Sequence, residues 1–250
     1  MTDDKRVVLV TGAASGIGRA TATRLAVDRA AVACVDRDAA MLDETVALVS
    51  DAGGTARPYA TDVSDDAQVA AAVSAAVADL GPVSGVVTCA GIFFPGDMAL
   101  LADVTIESFL HVLGVNLAGT FSAIKHVMPS LVETRGSIVT IASTAAIRGH
   151  GYGSGYTASK GGVAALTRLA AVQYGPQGVR ANCICPGGVD TPMTAGVFAG
   201  ADAAERAKAV PLQSFAQPEQ IASVAAFLLS DDASHVTGQT LTVDGGSTIA

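Results

Sequence analysis

The stretch Val7-Val8-Leu9-Val10-Thr11-Gly12-Ala13-Ala14-Ser15-Gly16-Ile17-Gly18 decides the fold. Its apolar run reads as a buried strand, its glycines as a tight turn, and Arg19 to Ala30 continues with helical period. Glycines in such a strand-turn-helix bring bare backbone amides close to an anion. The helix that follows presents unpaired N–H groups and its positive dipole end to the same point, an arrangement suited to a pyrophosphate. The spacing is G-x-x-x-G-x-G, not the commoner G-x-G-x-x-G, and taken alone the glycines also fit an ordinary strand-to-helix turn.

Outward from this unit, short apolar runs alternate with longer alanine-rich stretches of helical period. Strands are expected near 7–11, 31–35, 56–60, 84–89, 136–142, 179–185 and 239–243. Helices should begin near Gly16, Ala39, Asp65, Thr105, Tyr156 and Pro218, with Ser64 and Gln217 as cap-forming residues. The alternation predicts βαβ units around a doubly wound parallel sheet, a Rossmann-type α/β fold in a single domain over residues 1–250. The least regular segment runs from Gly187 to Leu212.

Composition narrows the partners. The 250 residues are 50% hydrophobic and 15% charged, yet no apolar run approaches the roughly 20 residues that cross a bilayer. A net charge of -8 argues against nucleic acid and anionic lipid as partners. The high apolar fraction and the mean hydropathy of +0.45 predict either a sheet covered on both faces or surface buried between subunits, and an oligomer is expected. Cys34, Cys89, Cys183 and Cys185 lie in or beside apolar runs without a C-x-x-C pair and read as buried thiols.

Several residues add chemistry to the glycine turn. Asp36 follows the apolar run Ala31 to Val35, where a carboxylate at a strand end accepts both hydroxyls of an adenosine ribose and repels a 2'-phosphate. That favours NAD over NADP, although a solvated loop acid beside Arg37 reads equally simply. Asp62-Val63 can hold an adenine edge or cap a helix, and the small residues of Cys89-Ala90-Gly91 allow a ribose to pack against backbone. In Tyr156-Thr157-Ala158-Ser159-Lys160, the tyrosine and lysine stand four apart on one helical face. An ammonium beside a phenol favours phenolate and draws its pKa toward the range useful for proton transfer. Ser143, at the end of an apolar strand, and Asn116, in an apolar helical stretch, are either satisfied core residues or members of a polar site.

These motifs occur in order along essentially the whole chain, followed by Pro186-Gly187, Val236-Thr237-Gly238 and Val243-Asp244-Gly245-Gly246. In this the sequence resembles the short-chain dehydrogenase/reductase family. The resemblance implies a proton exchanged by Tyr156, a substrate oxygen bound by Ser143, and nicotinamide ribose hydroxyls held by Lys160, which also lowers the Tyr156 pKa. It further implies that Asn116 supports the active-site helix and a water-linked proton path. Gly12, Ser15, Gly16, Ile17 and Gly18 would face the pyrophosphate. Pro186, Gly187, Val189 and Thr191 match the segment that holds the nicotinamide carboxamide. Cys89 departs from the family, which commonly carries asparagine there.

The resemblance places the substrate-binding loop near 188–212. With Phe93, Phe94 and Tyr152, its apolar residues Pro192 to Gly200 predict a pocket for a small or medium ketone or alcohol. His150 reads as a substrate contact or a solvent-facing loop residue, Arg206 and Lys208 as anchors for an anionic tail or a solvated helix face. His111, His126 and His235 lack metal-ligand spacing, and no metal is expected. The helix after Lys160 and the stretch Ile221 to Leu229 offer apolar faces for a homotetramer. The polar start Met1 to Arg6 carries no signal-peptide pattern, and a cytoplasmic NAD-dependent enzyme is expected. Two alternatives stand beside it, an NADPH-dependent 3-oxoacyl-thioester reductase and a dinucleotide-binding sensor without turnover. An enoyl reductase fits less well, because that relative spaces its tyrosine and lysine more widely.

Overall fold

The computed structural model describes residues 6–149, 153–198 and 203–250. Seven parallel strands, β1 (Val7–Thr11), β2 (Ala31–Asp36), β3 (Thr55–Ala60), β4 (Gly85–Thr88), β5 (Ser137–Ile141), β6 (Arg180–Pro186) and β7 (Thr240–Val243), form one sheet in the order β3-β2-β1-β4-β5-β6-β7. The five inner strands are buried almost end to end, as a parallel sheet covered on both faces demands. β3, at one edge, is largely accessible and carries Arg57 and Pro58, which blunt an open strand edge.

Side-chain alternation along each strand splits the core in two. Val8 and Val10 point to one face, where α1 (Gly16–Val27), α2 (Ala39–Asp51) and α9 (Pro218–Leu229) cover them through Leu25, Leu42 and Ile221. Val7 and Leu9 point to the other face, against α3 (Asp66–Leu80), α5 (Gly119–Thr134) and α6 (Ser154–Tyr174), through Val73, Val127, Leu131 and Ala170. Each such aliphatic side chain, once fully buried, contributes roughly 1.5–3 kcal/mol. The strand order reverses direction between β1 and β4, and the crevice at their carboxyl ends is the place where this topology binds ligands.

One sequence expectation needs correction, and two gain detail. Asp65, not Ser64, caps α3: its carboxylate accepts from Ala67 N and Gln68 N, while the Ser64 hydroxyl turns back to Asp62. The helix expected from Thr105 runs as α4 (Ile106–Leu113), a wider π-helical turn (Gly114–Ala118) and then α5, with Thr105 capping the first turn. In the stretch Ile221 to Leu229, Ile221, Ala225, Ala226, Leu228 and Leu229 pack inward with Ala22, Leu25 and Ala26 of α1, while Phe227 stays 43% exposed.

The segment after β6 is more regular than expected, holding α7 (Ala195–Phe198) and α8 (Ala203–Lys208) and a bridge from Val189 to Ala216. Gln217 caps α9 in a reciprocal capping box with Gln220, as its sequence position implied. All four cysteines are free, and Cys34, Cys183 and Cys185 are buried. No helix among the described residues is long and apolar enough to cross a membrane.

Candidate active site

The crevice at the switch point is a cavity of about 330 Å³ lined by Gly12, Ser15 to Gly18, Asp36, Asp62, Val63, Cys89 to Gly91 and Thr191, all singled out in the sequence. Arg37 beside Asp36 and Met193 of the expected substrate loop also line it, as do Ile92 and Val115, which had not been singled out. The glycines are required by close approach. Gly12 has φ +68°, and a Cβ there would stand 2.7 Å from Ala90 N; a Cβ on Gly18 would fall 2.0 Å from Gly12 O. Ser15 occupies the cap position of α1 but makes no side-chain cap bond, and no acid stands in the first turn. The helix therefore meets the cavity with an uncompensated positive end. An open helix end over backbone that admits no Cβ fits a dinucleotide pyrophosphate.

Around this turn the walls are fixed by hydrogen bonds. The Asp36 carboxylate accepts from Ala14 N and Asp38 N, both at 3.2 Å, which fixes it at the rim beside the glycine turn. Asp62 accepts from the Ser64 hydroxyl at 2.7 Å and the Ser64 amide at 2.9 Å, and these bonds hold its carboxyl below the usual range. Its own amide donates to Gln68 Oε1, so Asp62 stabilises the start of α3 as well as lining the cavity. The end of β4 is tied to β1 by Cys89 N to Thr11 O and Ala90 N to Thr11 Oγ1, both 3.2 Å. Burial pushes the Cys89 thiol up to about 12, so it remains a neutral wall residue.

At Gly91 the cavity meets the polar residues of the opposite half. A Cβ on Gly91 would lie 3.2 Å from Asn116 Oδ1 and 3.5 Å from Lys160 Nζ. Asn116 is wholly buried in the π-helical turn, where Oδ1 accepts from Ile92 N at 2.7 Å and Nδ2 donates to Ile92 O and Ser159 Oγ. It clamps the loop after β4 to α6.

Lys160 Nζ donates to Ile141 O at 2.9 Å and lies 5.6 Å from the centre of the Tyr156 ring. Ser143 follows β5, accepts from Ala145 N through its hydroxyl oxygen, and stands near enough to the Tyr156 phenol to draw its pKa down. Burial lowers Lys160 to about 8. Burial also raises Tyr156 and outweighs the opposing pull of Ser143. In the chain alone desolvation dominates both groups; the lowering expected from the lysine together with an oxidised nicotinamide concerns the cofactor-bound state.

Other expected site residues are distributed unevenly. Thr191 reaches the cavity, its methyl 3.3 Å from where a Gly16 Cβ would be, and Val189 is buried behind it. Pro186 and Gly187 stay in the sheet, where Gly187 donates to Val243 O and its missing Cβ makes room for Asp244. Phe93 meets the Tyr156 ring edge-on at 5.1 Å, whereas Phe94 turns its ring edge-on to His111. Lys208 pairs with Glu205 on an exposed helix face. His150, Tyr152, Ala199 and Gly200 lie outside the described residues.

A family profile described as enoyl-(acyl carrier protein) reductase matches residues 12–248. Levodione reductase of Leifsonia aquatica is 40% identical over 98% of this chain and 95% of its own. The chain belongs to the short-chain dehydrogenase/reductase family. Cis-4-hydroxycyclohexanecarboxylate dehydrogenase of Sinomonas cyclohexanicum, also 40% identical, covers 98% of this short-chain dehydrogenase/reductase and 97% of itself. Among solved structures, a levodione reductase superposes with a TM-score of 0.93 at 38% identity, covering 98% of both chains. An actinorhodin polyketide ketoreductase variant with NADPH superposes at 0.92 and 34% identity, again over 98% of both. This short-chain dehydrogenase/reductase is thus an oxidoreductase of a nicotinamide-dependent family.

Proposed function

We propose that this protein is an NAD-dependent oxidoreductase acting on a secondary alcohol or ketone, with Tyr156 as general acid and base. The observation that carries the reading is the grouping of Ser143, Tyr156 and Lys160: a serine hydroxyl near the phenol and a buried ammonium 5.6 Å from its ring. A nicotinamide dinucleotide bound along the glycine turn supplies the hydride acceptor or donor. Tyr156 gives a proton to the carbonyl oxygen in reduction and takes one from the hydroxyl in oxidation. Ser143 Oγ holds that same oxygen. Lys160 brings positive charge to the ribose side and favours the phenolate once ligand charge is added. Asn116 keeps the loop after β4 against α6, and with it the distance between the two reacting halves.

Asp36 at the cavity rim supports NAD, because a fixed carboxylate repels a 2'-phosphate. A second reading, use of NADPH, draws on Arg37 at the same rim and on the NADPH-bound ketoreductase above. Met193 in the cavity wall and Phe93 against Tyr156 support an apolar substrate of ring size, as does the cyclohexane ring in the name of the Sinomonas relative. The raised phenol suits the acid role at neutral pH, so reduction should prevail there and oxidation should gain as pH rises.

The test is NADH and NADPH turnover over a panel of cyclic and open-chain ketones and alcohols, with Tyr156→Phe alongside. Loss of about 10²–10⁴-fold in kcat with dinucleotide binding intact is expected. Wild-type turnover in the variant overturns the reading; preference for NADPH and acyl thioesters replaces it with the ketoreductase alternative, and binding without any turnover with the sensor.

The reading extends to a homotetramer in the cytoplasm, where four free thiols stay reduced. A groove of about 680 Å³ lined by Leu110, Leu113, Leu117, Phe121, Leu166 and Leu169 supports it, with half of the Phe121 and Leu169 surfaces exposed. Light scattering at micromolar concentration should give four times the chain mass; a monomer would remove the tetramer.

A further inference from the structure

α6 carries Tyr156 and Lys160, yet its first turn has no cap of its own. The cap position is Gly153, at φ +82°, with no side chain to offer. The orphan amides are met from a distant part of the chain. Asp97, at the end of the short turn Pro95–Asp97 after β4, is 1% exposed. Its Oδ1 accepts from Gly155 N at 2.7 Å and its Oδ2 from Tyr156 N at 2.8 Å, while its carbonyl accepts from Gly153 N at 3.1 Å. These are short, charge-assisted bonds, and the dipole of α6 offsets the buried negative charge. Among the described residues no basic side chain forms an ion pair with it.

The same loop touches the catalytic helix at two further points. Ile92 reaches Ser159 through Asn116, and Phe93 sets its ring edge-on against the Tyr156 ring. Gly155 allows the approach, since a Cβ there would come 3.1 Å from Phe109 O and 3.3 Å from Asp97 Oδ1. A Tyr156 whose amide is pinned to the loop that begins at Gly91 cannot shift its Cα without moving that loop. Small errors in such placement are known to cost large factors in rate.

We propose that Asp97 is a positioning residue for proton transfer: its buried carboxylate closes the first turn of α6 in trans and fixes the Tyr156 backbone against the loop that walls the cofactor cavity. The proposal rests on Tyr156 being the acid/base. Removing the carboxylate leaves Ser143, Tyr156, Lys160 and the glycine turn chemically intact and loosens only their spacing. The effect belongs in kcat and not in dinucleotide binding.

Asp97→Asn keeps the volume and one acceptor oxygen but sets an amide NH₂ against a backbone N–H; Asp97→Ala removes both acceptors. Expected are a roughly tenfold loss of kcat in Asp97→Asn and a roughly hundredfold loss in Asp97→Ala, with NADH affinity by its own fluorescence within twofold of wild type. In the ligand-free protein, amide hydrogen exchange over residues 153–160 should quicken, while α1 and α5 keep their protection. Unchanged kcat despite faster exchange would overturn the proposal, as would loss of NADH binding in step with kcat or global unfolding of Asp97→Asn, since the role would then be structural. Tyr156→Phe in the same assay separates the two readings. If it is inactive and Asp97→Asn is fully active, only the role of Asp97 fails; if it is active, the acid/base assignment fails first.

Discussion

Two helices carry the residues of the site, and their N-termini end in opposite ways. α1 arrives with no side-chain cap and no acid in its first turn, over glycines that admit no Cβ. α6 arrives with two first-turn amides filled by the buried carboxylate of Asp97. The same local physics, orphan N–H groups and a positive dipole end, thus serves two purposes. An end left open takes an anion from outside, whereas an end filled from within fixes the side chain that follows it.

Three measurements bear on this contrast. Ser15→Asp would fill the open end with a charge of its own. At about 4 Å from a phosphate and an effective dielectric near 20, the repulsion is about 4 kcal/mol, so NADH affinity should fall by about a thousandfold. A loss below threefold would mean that α1 is not the anion site.

Lys160 tests what the filled end costs. Its pKa is about 8 against an ordinary 10.5, so the unfolded chain binds more protons between those values and stability rises with pH across that window. Below pH 8 the penalty is fully present. Lys160→Met should therefore be more stable to urea at pH 7 by about 2 kcal/mol: roughly 3 for the charge relieved, less about 1 for the Ile141 carbonyl left without its donor. The gain should fade toward pH 10.5, and an equal gain at both pH values would show that packing, not charge, was responsible. The smallest effect belongs again to Ser15→Asp, which in the ligand-free protein should stabilise α1 by about 0.5–1 kcal/mol as an acidic cap, read as a rise in melting temperature.

The contrast also explains what was legible in the sequence. The open end was readable because its requirements are local: Gly12, Gly16 and Gly18 stand where backbone must turn or touch, and Asp36 sits directly after an apolar run. The inner strands were readable for the same reason, since burial on both faces leaves largely apolar runs. Asp97 was not readable. It acts on Gly155 across 58 positions, from a loop with no periodicity, and the composition around it says only turn. The burial that raises the Tyr156 phenol was likewise not readable, because the four-residue spacing to Lys160 shows a nearby charge but not how much of the ring is desolvated. The stretch Ile221 to Leu229 could not be divided in the sequence, because an apolar stripe does not say which of its residues α1 covers and which, like Phe227, stay exposed.

The π-helical turn between α4 and α5 has a consequence for how this chain tolerates change in length. Each residue of an α-helix advances about 100° around the axis. The wider turn Gly114–Ala118 is in effect one residue inserted into a single long helix, and Asn116 faces Ile92 and Ser159 only because of that phase offset. A chain one residue shorter here would regain a regular cylinder with an unbroken ladder of bonds. It would also turn the amide away from both partners, so that the loop of one half of the crevice and the helix of the other would no longer share a joint.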